Sequence, residues 1–324
     1  MNQNSSAVHP TVRRLTVAVA VIALIPIGMG SLVTTLGAGM AFLDWPSSDG
    51  QNMLLYPWLQ DFRSNPDKFV EHGHRLAGML IGFMSILLVV ITWLKEKQPW
   101  VRRMSVLVLV AVIAQGLLGG MRVRMDRQVL AMIHSITGAA FFCLCCMFAI
   151  ACGKKWRHQI SQKAGAVTPV LQGFALLLPV LVIIQYLLGG AFRHLNTMLD
   201  EHIVGAVVVS LCSLFTATGL LRSGNAALVR NGKLILAALG FQILLGLSAY
   251  VTRLGLPAYG YVATAGSLSQ SVFCSAHTVG GMLLLNASVL TAFTMRRLVR
   301  NNAVHLIQPD EQTSLQVAGE RGAP

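Results

Sequence analysis

Eight apolar stretches, each of about the length that crosses a bilayer, leave this chain few folds to choose from. They run at about 15–37, 72–94, 104–121, 129–152, 167–190, 202–221, 232–252 and 270–294. Lipid offers backbone groups no hydrogen-bond partners, so spanning segments must be helices or closed barrels. Runs near twenty residues fit helices. Of 324 residues, 54% are apolar and only 11% charged, against about a quarter charged in soluble domains. The expected fold class is therefore an all-α integral membrane protein, its eight transmembrane helices forming two pseudo-symmetric four-helix bundles.

Basic residues set the expected orientation. Of 25 Lys and Arg residues, 17 fall beside the termini and in the even-to-odd connections. Positive residues collect on the cytoplasmic side, which places both termini there and makes the net charge of +13 a topology signal, not a nucleic-acid footprint. The first fourteen residues are polar and run straight into a span, the pattern of an uncleaved anchor. A bacterial cytoplasmic membrane is the expected location. The six cysteines all fall within spans, where thiols pack between helices; the FFCLCCMFAIAC cluster is read as packing, not as a metal site.

Four histidines, His74, His134, His202 and His277, lie near the starts of the even-numbered stretches, on the expected outer side. Each is followed by glycine, in HRLAG, HSITG, HIVG and HTVG. A lone histidine in a membrane helix usually serves a helix-to-helix hydrogen bond. Four in register suit two metal centres with two axial imidazoles each, and inside a helical bundle such a centre is a haem iron. His72 and His194 read as interfacial or loop residues.

The chain also repeats itself. Gln115, Gln185 and Gln242 each precede a glycine by four residues, at Gly119, Gly189 and Gly246, while the first stretch reads Ile25-Pro26-Ile27-Gly28-Met29-Gly30. His74 and His202 are 128 residues apart, and Gln115 and Gln242 are 127 apart. The repeat predicts tails at 1–14 and 296–324, the latter polar and disordered, around two four-helix units at 15–152 and 153–295. A pseudo-twofold axis along the membrane normal would relate the units.

The halves differ chemically. Glu71 stands three residues before His74, on nearly the same helix face, whereas Asp200 and Glu201 precede His202 at other spacings. Glu71 reads either as a solvated acid at a helix N-terminus or as a proton carrier and charge stabiliser beside an iron porphyrin. Arg75, Arg122, Arg124 and Arg193 read either as snorkelling residues or as bidentate partners for haem propionates. The long outer loop at 38–71 is a candidate lid, with Trp45, Tyr56, Trp58 and Phe62 over the first half. Chemistry in one half and electron delivery in the other would explain the asymmetry.

With those features in place, the chain resembles the haem A synthase (Cox15/CtaA) family over about residues 15–295. The resemblance rests on Glu71-x-x-His74-Arg75, the four histidines, the Gln-x-x-x-Gly repeats and the duplicated eight-span plan. It implies oxidation of the C8 methyl of haem O to a formyl group through a hydroxymethyl intermediate, for cytochrome oxidase biogenesis. It further implies that His74 and His134 hold the substrate haem, that Glu71 is the catalytic acid, and that His202 and His277 ligate a resident haem b. Haem O synthase and oxidase assembly factors are candidate partners, and a quinol is a candidate electron donor. The chain departs from the family in lacking a cysteine pair between residues 38 and 71, a glutamine in the first stretch, and an arginine after His202. The alternative is a di-haem b cytochrome that carries electrons from quinol and leaves its haems unmodified. A transporter is disfavoured, because ionisable residues gather at helix ends.

Overall fold

The computed structural model describes residues 7–154, 156 and 167–307, with side chains to residue 300. Its long helices are α1 (Pro10–Ile22) and α2 (Leu24–Leu36), then α4 (Pro66–Lys95), α5 (Pro99–Met125), α6 (Gln128–Ala151), α7 (Pro169–Leu195), α8 (Leu199–Leu221), α9 (Ala226–Leu254) and α10 (Leu268–Ile307); the short α3 (Asp61–Ser64) precedes α4. With α1 and α2 counted as one span, eight helical spans are long and apolar enough to cross a membrane. Among the described residues there are no β-strands, only two isolated bridges, Ser48 with Gln51 and Leu256 with Tyr261.

The helices run past the ends expected from hydropathy because polar caps continue them. Asn65 accepts the Lys68 N–H (3.3 Å) with Pro66 at the first helical position, starting α4 well before its apolar run. Thr168 caps α7 in the same way, accepting the Leu171 N–H (3.2 Å), but there the helix begins at Pro169, within the expected stretch. Proline is suited to that position, where its missing N–H is no loss. The first span breaks at Ala23, three residues before Pro26, which cannot donate to the Ile22 carbonyl. At the other end α10 continues to Ile307, so the chain after 295 does not leave the helix at once as expected. The rest of that tail, like residues 1–6, lies outside the described residues.

Each helix buries one face and leaves the other apolar and exposed. On α4, Ala77, Ile81, Ser85 and Leu88 are buried, while Leu80, Phe83, Leu87 and Val90 point outward. An apolar outer face is stable only against lipid. Helix contacts form two closed circuits. In the first, α1 and α2 pack on α4, α4 on α5, α5 on α6, and α6 back on α1; in the second, α7 packs on α8, α8 on α9, α9 on α10, and α10 back on α7. The circuits meet where α2 and α6 face α10 and where α6 faces α7.

Candidate functional site

The four histidines meet in two pairs. His74 on α4 and His134 on α6 have ring centres 6.2 Å apart with planes at 83°. His202 on α8 and His277 on α10 repeat this at 6.2 Å and 87°. An imidazole nitrogen lies ~1.15 Å from its ring centre and bonds a metal at ~2.0 Å, so two imidazoles on opposite sides of one ion sit ~6.3 Å apart. Both pairs have that spacing. Among the described residues no group of three or more His, Cys, Asp or Glu side chains gathers as a metal site.

Each ring rests on a glycine of the preceding span. A Cβ added at Gly30 would meet His74 Cε1 at 2.8 Å; at Gly119, His134 Cε1 at 3.2 Å; at Gly189, His202 Cε1 at 2.8 Å; at Gly246, His277 Cε1 at 3.0 Å. The missing side chain lets an imidazole reach the helix backbone. His74 does so, donating from Nδ1 to the Pro26 carbonyl (2.9 Å), four residues before Gly30. A histidine whose Nδ1–H is tied to a carbonyl presents Nε2 as its free donor atom. The glutamines occupy the position of Pro26 in the other spans. Gln185 donates to the His202 carbonyl (2.7 Å), its amide nitrogen 3.0 Å from His202 Nδ1. The Gln185 and Gln242 amide oxygens lie over Gly205 and Gly280, the glycines that follow His202 and His277.

The first span therefore keeps the repeat in a form that a search for glutamine misses. Pro26 stands four residues before Gly30 as Gln115 stands before Gly119, and that spacing is the legible signal. Gly78, which follows His74, has nothing within 4 Å of an added Cβ, as expected where proline has no amide to send there.

Around the first pair the outer loop closes down. Phe42 is fully buried, the Trp45 ring presses on Gly120, and Trp58 lies on Gly73 while donating to the Phe69 carbonyl (2.6 Å). His72, expected at the interface, is instead fully buried among Phe42, Tyr56 and Trp58, with Nδ1 at 3.1 Å from Ser48 Oγ. Nothing local in the sequence reports this burial, because the covering residues come from a loop up to thirty positions away. Burial and its bond to Asp61 (2.8 Å) push the Tyr56 phenol up to about 12. His194, expected in a loop, occupies the last turn of α7 and is half-buried.

Glu71 is 4% exposed, which removes its reading as a solvated helix-start acid. Its Oε1 receives two bonds from Arg75, at 2.6 and 3.2 Å, and its Oε2 receives the Phe42 N–H at 3.2 Å. Arg75 also donates to the carbonyls of Asp44 (2.9 Å) and Ser47 (2.7 Å). A buried carboxylate needs such partners. Arg122 approaches Gly39 of the same loop, and Arg124 is exposed. Arg193 points into the seam between the two circuits, where it donates to Ser31 Oγ (3.1 Å) and Thr35 Oγ1 (2.6 Å), and also to the Ser31 carbonyl and the Thr278 hydroxyl. Arg253, which the sequence did not single out, stacks on Phe192 and donates to Asn196 Oδ1 (3.1 Å).

A family model described as COX15-CtaA, cytochrome oxidase assembly protein, matches residues 13–201, more than half of the chain. A protein named heme A synthase from Shouchella clausii (strain KSM-K16) is 26% identical over 194 residues, 59% of this chain and 62% of its own length. The family match ends just before His202, so it takes in the first histidine pair and not the second.

Proposed function

Because the chain belongs to the COX15-CtaA family of cytochrome oxidase assembly proteins, a group of multi-pass membrane proteins into which its eight apolar spans fit, we propose that it is a haem A synthase that oxidises the C8 methyl of haem O to a formyl group. The observation that carries this reading is the pair of matched histidine couples, each at the spacing of two imidazoles across one metal. We assign the units 15–152 and 153–295 to substrate and electron delivery, related by the pseudo-twofold axis. The resident group of the second unit is haem b, held by His202 and His277; haem O enters the first, held by His74 and His134. When bound, the iron porphyrins supply the redox chemistry that no amino-acid side chain offers.

The chain's own residues orient and charge that site. The glycine seats fix where each imidazole stands. The outer loop, with Phe42, Trp45 and Trp58, keeps water from the first pair. Glu71 holds a negative charge one turn from His74 and is the proton-handling group, its Oε1 stabilised by Arg75 and its Oε2 by the Phe42 amide. Arg122, in reach of the loop, is the candidate partner for propionates; Arg193 is committed to the hydroxyls and carbonyl of the seam, Arg75 to Glu71 and loop carbonyls, and Arg124 faces outward. Both termini lie on the cytoplasmic side of a bacterial inner membrane in this reading, which follows from the basic residues.

Expression with a haem O synthase, then acid–acetone extraction and chromatography of the haems, tests the proposal. Haem A or its hydroxymethyl precursor is the expected product. Unchanged haems B and O only would favour the quinol-linked cytochrome instead.

A further inference from the structure

We propose that Arg193 is a positioning residue whose uncompensated positive charge couples the two histidine sites and raises the reduction potential of both. This rests on the haem reading above. Arg193 leaves α7 and enters the seam between α2 and α10. Ser31, which it bonds through both hydroxyl and carbonyl, is the residue after Gly30, the seat of the His74 ring. Thr278, which it also bonds, is the residue after His277. One guanidinium is thus bonded to residues adjacent to the seat of one site and to a ligand of the other. Thr35 Oγ1 accepts from it as well and meets Ser275 Oγ at 3.1 Å, while Ser31 Oγ donates to the Ser275 carbonyl at 3.3 Å.

Every one of these partners is a neutral oxygen. Among the described residues the ion pairs are Lys68 with Asp49 and Arg75 with Glu71, both in the first half. A cation inside a bundle ordinarily pairs with an acid, and a mere tie between helices needs only hydroxyls. An unpaired charge in low dielectric acts over a long range and disfavours the ferric state of any iron nearby, since net charge is one of the settings of a haem potential. Placed between two such sites, it biases both in the same direction and fixes their relative register.

The test is spectroelectrochemistry of the haem-loaded wild type, Arg193→Gln and Arg193→Lys in detergent or nanodiscs. Arg193→Gln is expected to lower both one-electron potentials by about tenfold in equilibrium constant, which is 59 mV; Arg193→Lys should return most of the shift. Ser275→Asp supplies a carboxylate beside the same cluster without removing the guanidinium, and should lower both potentials even if Arg193→Gln does not fold. Unchanged potentials in Ser275→Asp, or a Lys variant as shifted as the Gln variant, would overturn the proposal. A wild type without a bis-imidazole spectrum would sink the haem reading itself, which is a separate outcome.

Discussion

The two histidine pairs share a ring geometry to within a few degrees, and the glycine seats beneath it, but differ in the charges and the loop around them. In the first half the acid before the ligand is inside, bonded to Arg75 and covered by a folded loop. In the second, Asp200 and Glu201 sit in the first turn of α8 and are exposed, and the loop at 255–267 ends in the exposed Tyr259 and Val262. The ring spacing is the same in both pairs, and the electrostatics around it differ. In the haem reading proposed above, equal ring spacing with unequal surroundings is what a division between reacting and relaying sites requires, since surroundings and not ligands then set each site's behaviour.

The largest effect expected from breaking this comparison comes from the ligands. His74→Ala or His134→Ala should abolish product and disturb the first haem alone, and His202→Ala or His277→Ala should remove the resident haem b; Soret spectra and haem-to-protein ratios read both. If a second-half substitution left haem content and spectrum intact, the pairing would be wrong. Next comes Glu71→Gln, which should keep haem loading and reduce formyl product by about 10²–10⁴-fold, the usual worth of a positioned acid or base. The double substitution Asp200→Asn, Glu201→Gln should change product formation by less than about twofold. Loss of haem from Glu71→Gln would assign the acid to assembly.

Smaller effects test the glycine seats. Gly189→Ala pushes a methyl to 2.8 Å from His202 Cε1, and Gly119→Ala reaches only 3.2 Å from His134 Cε1. Overpacking costs about 1–3 kcal/mol, so thermal unfolding should show Gly189→Ala as the more damaging, with a broadened low-spin spectrum. Equal effects would mean that the rings do not rest on these positions.

The smallest difference is one of pH. At the α4–α5 turn the Glu96 carboxylate accepts N–H groups from His9 (2.9 Å), Lys97 (2.9 Å) and Gln98 (3.1 Å). Burial raises its pKa, but those bonds outweigh it and hold the group below its ordinary 4.5. A depressed folded pKa gives stability that is present above the unfolded value and lost as pH falls through the folded one. The matching α8–α9 turn is capped by neutral Asn225, which accepts from Ala227 (3.0 Å) and Leu228 (3.3 Å). Between pH 6 and 3 (values on the order of the carboxylate range), Glu96→Gln should flatten the acid loss of stability, while Asn225→Ala should leave its slope unchanged.

Much of this was legible in the sequence because it is local. Hydropathy found eight spans, and register found four histidines on one side. The ends of the spans were not legible from apolarity, since the caps at Asn65 and Asn225 start α4 and α9 in polar sequence ahead of their apolar runs. The seat at Gly30 was hidden by reading the repeat as a glutamine motif, when its common element is the glycine under each ring. The burial of His72 and the commitment of Arg75 depend on where a long loop lands, which no spacing encodes.

Arg75 has one more consequence. It grips the carboxylate of Glu71 with one edge and the loop carbonyls of Asp44 and Ser47 with the other, so it works as a latch. The loop is thus tied to that acid twice, through Arg75 and through the Phe42 N–H on Glu71 Oε2, so the cover over the first pair and the buried charge beside it are held by one set of bonds.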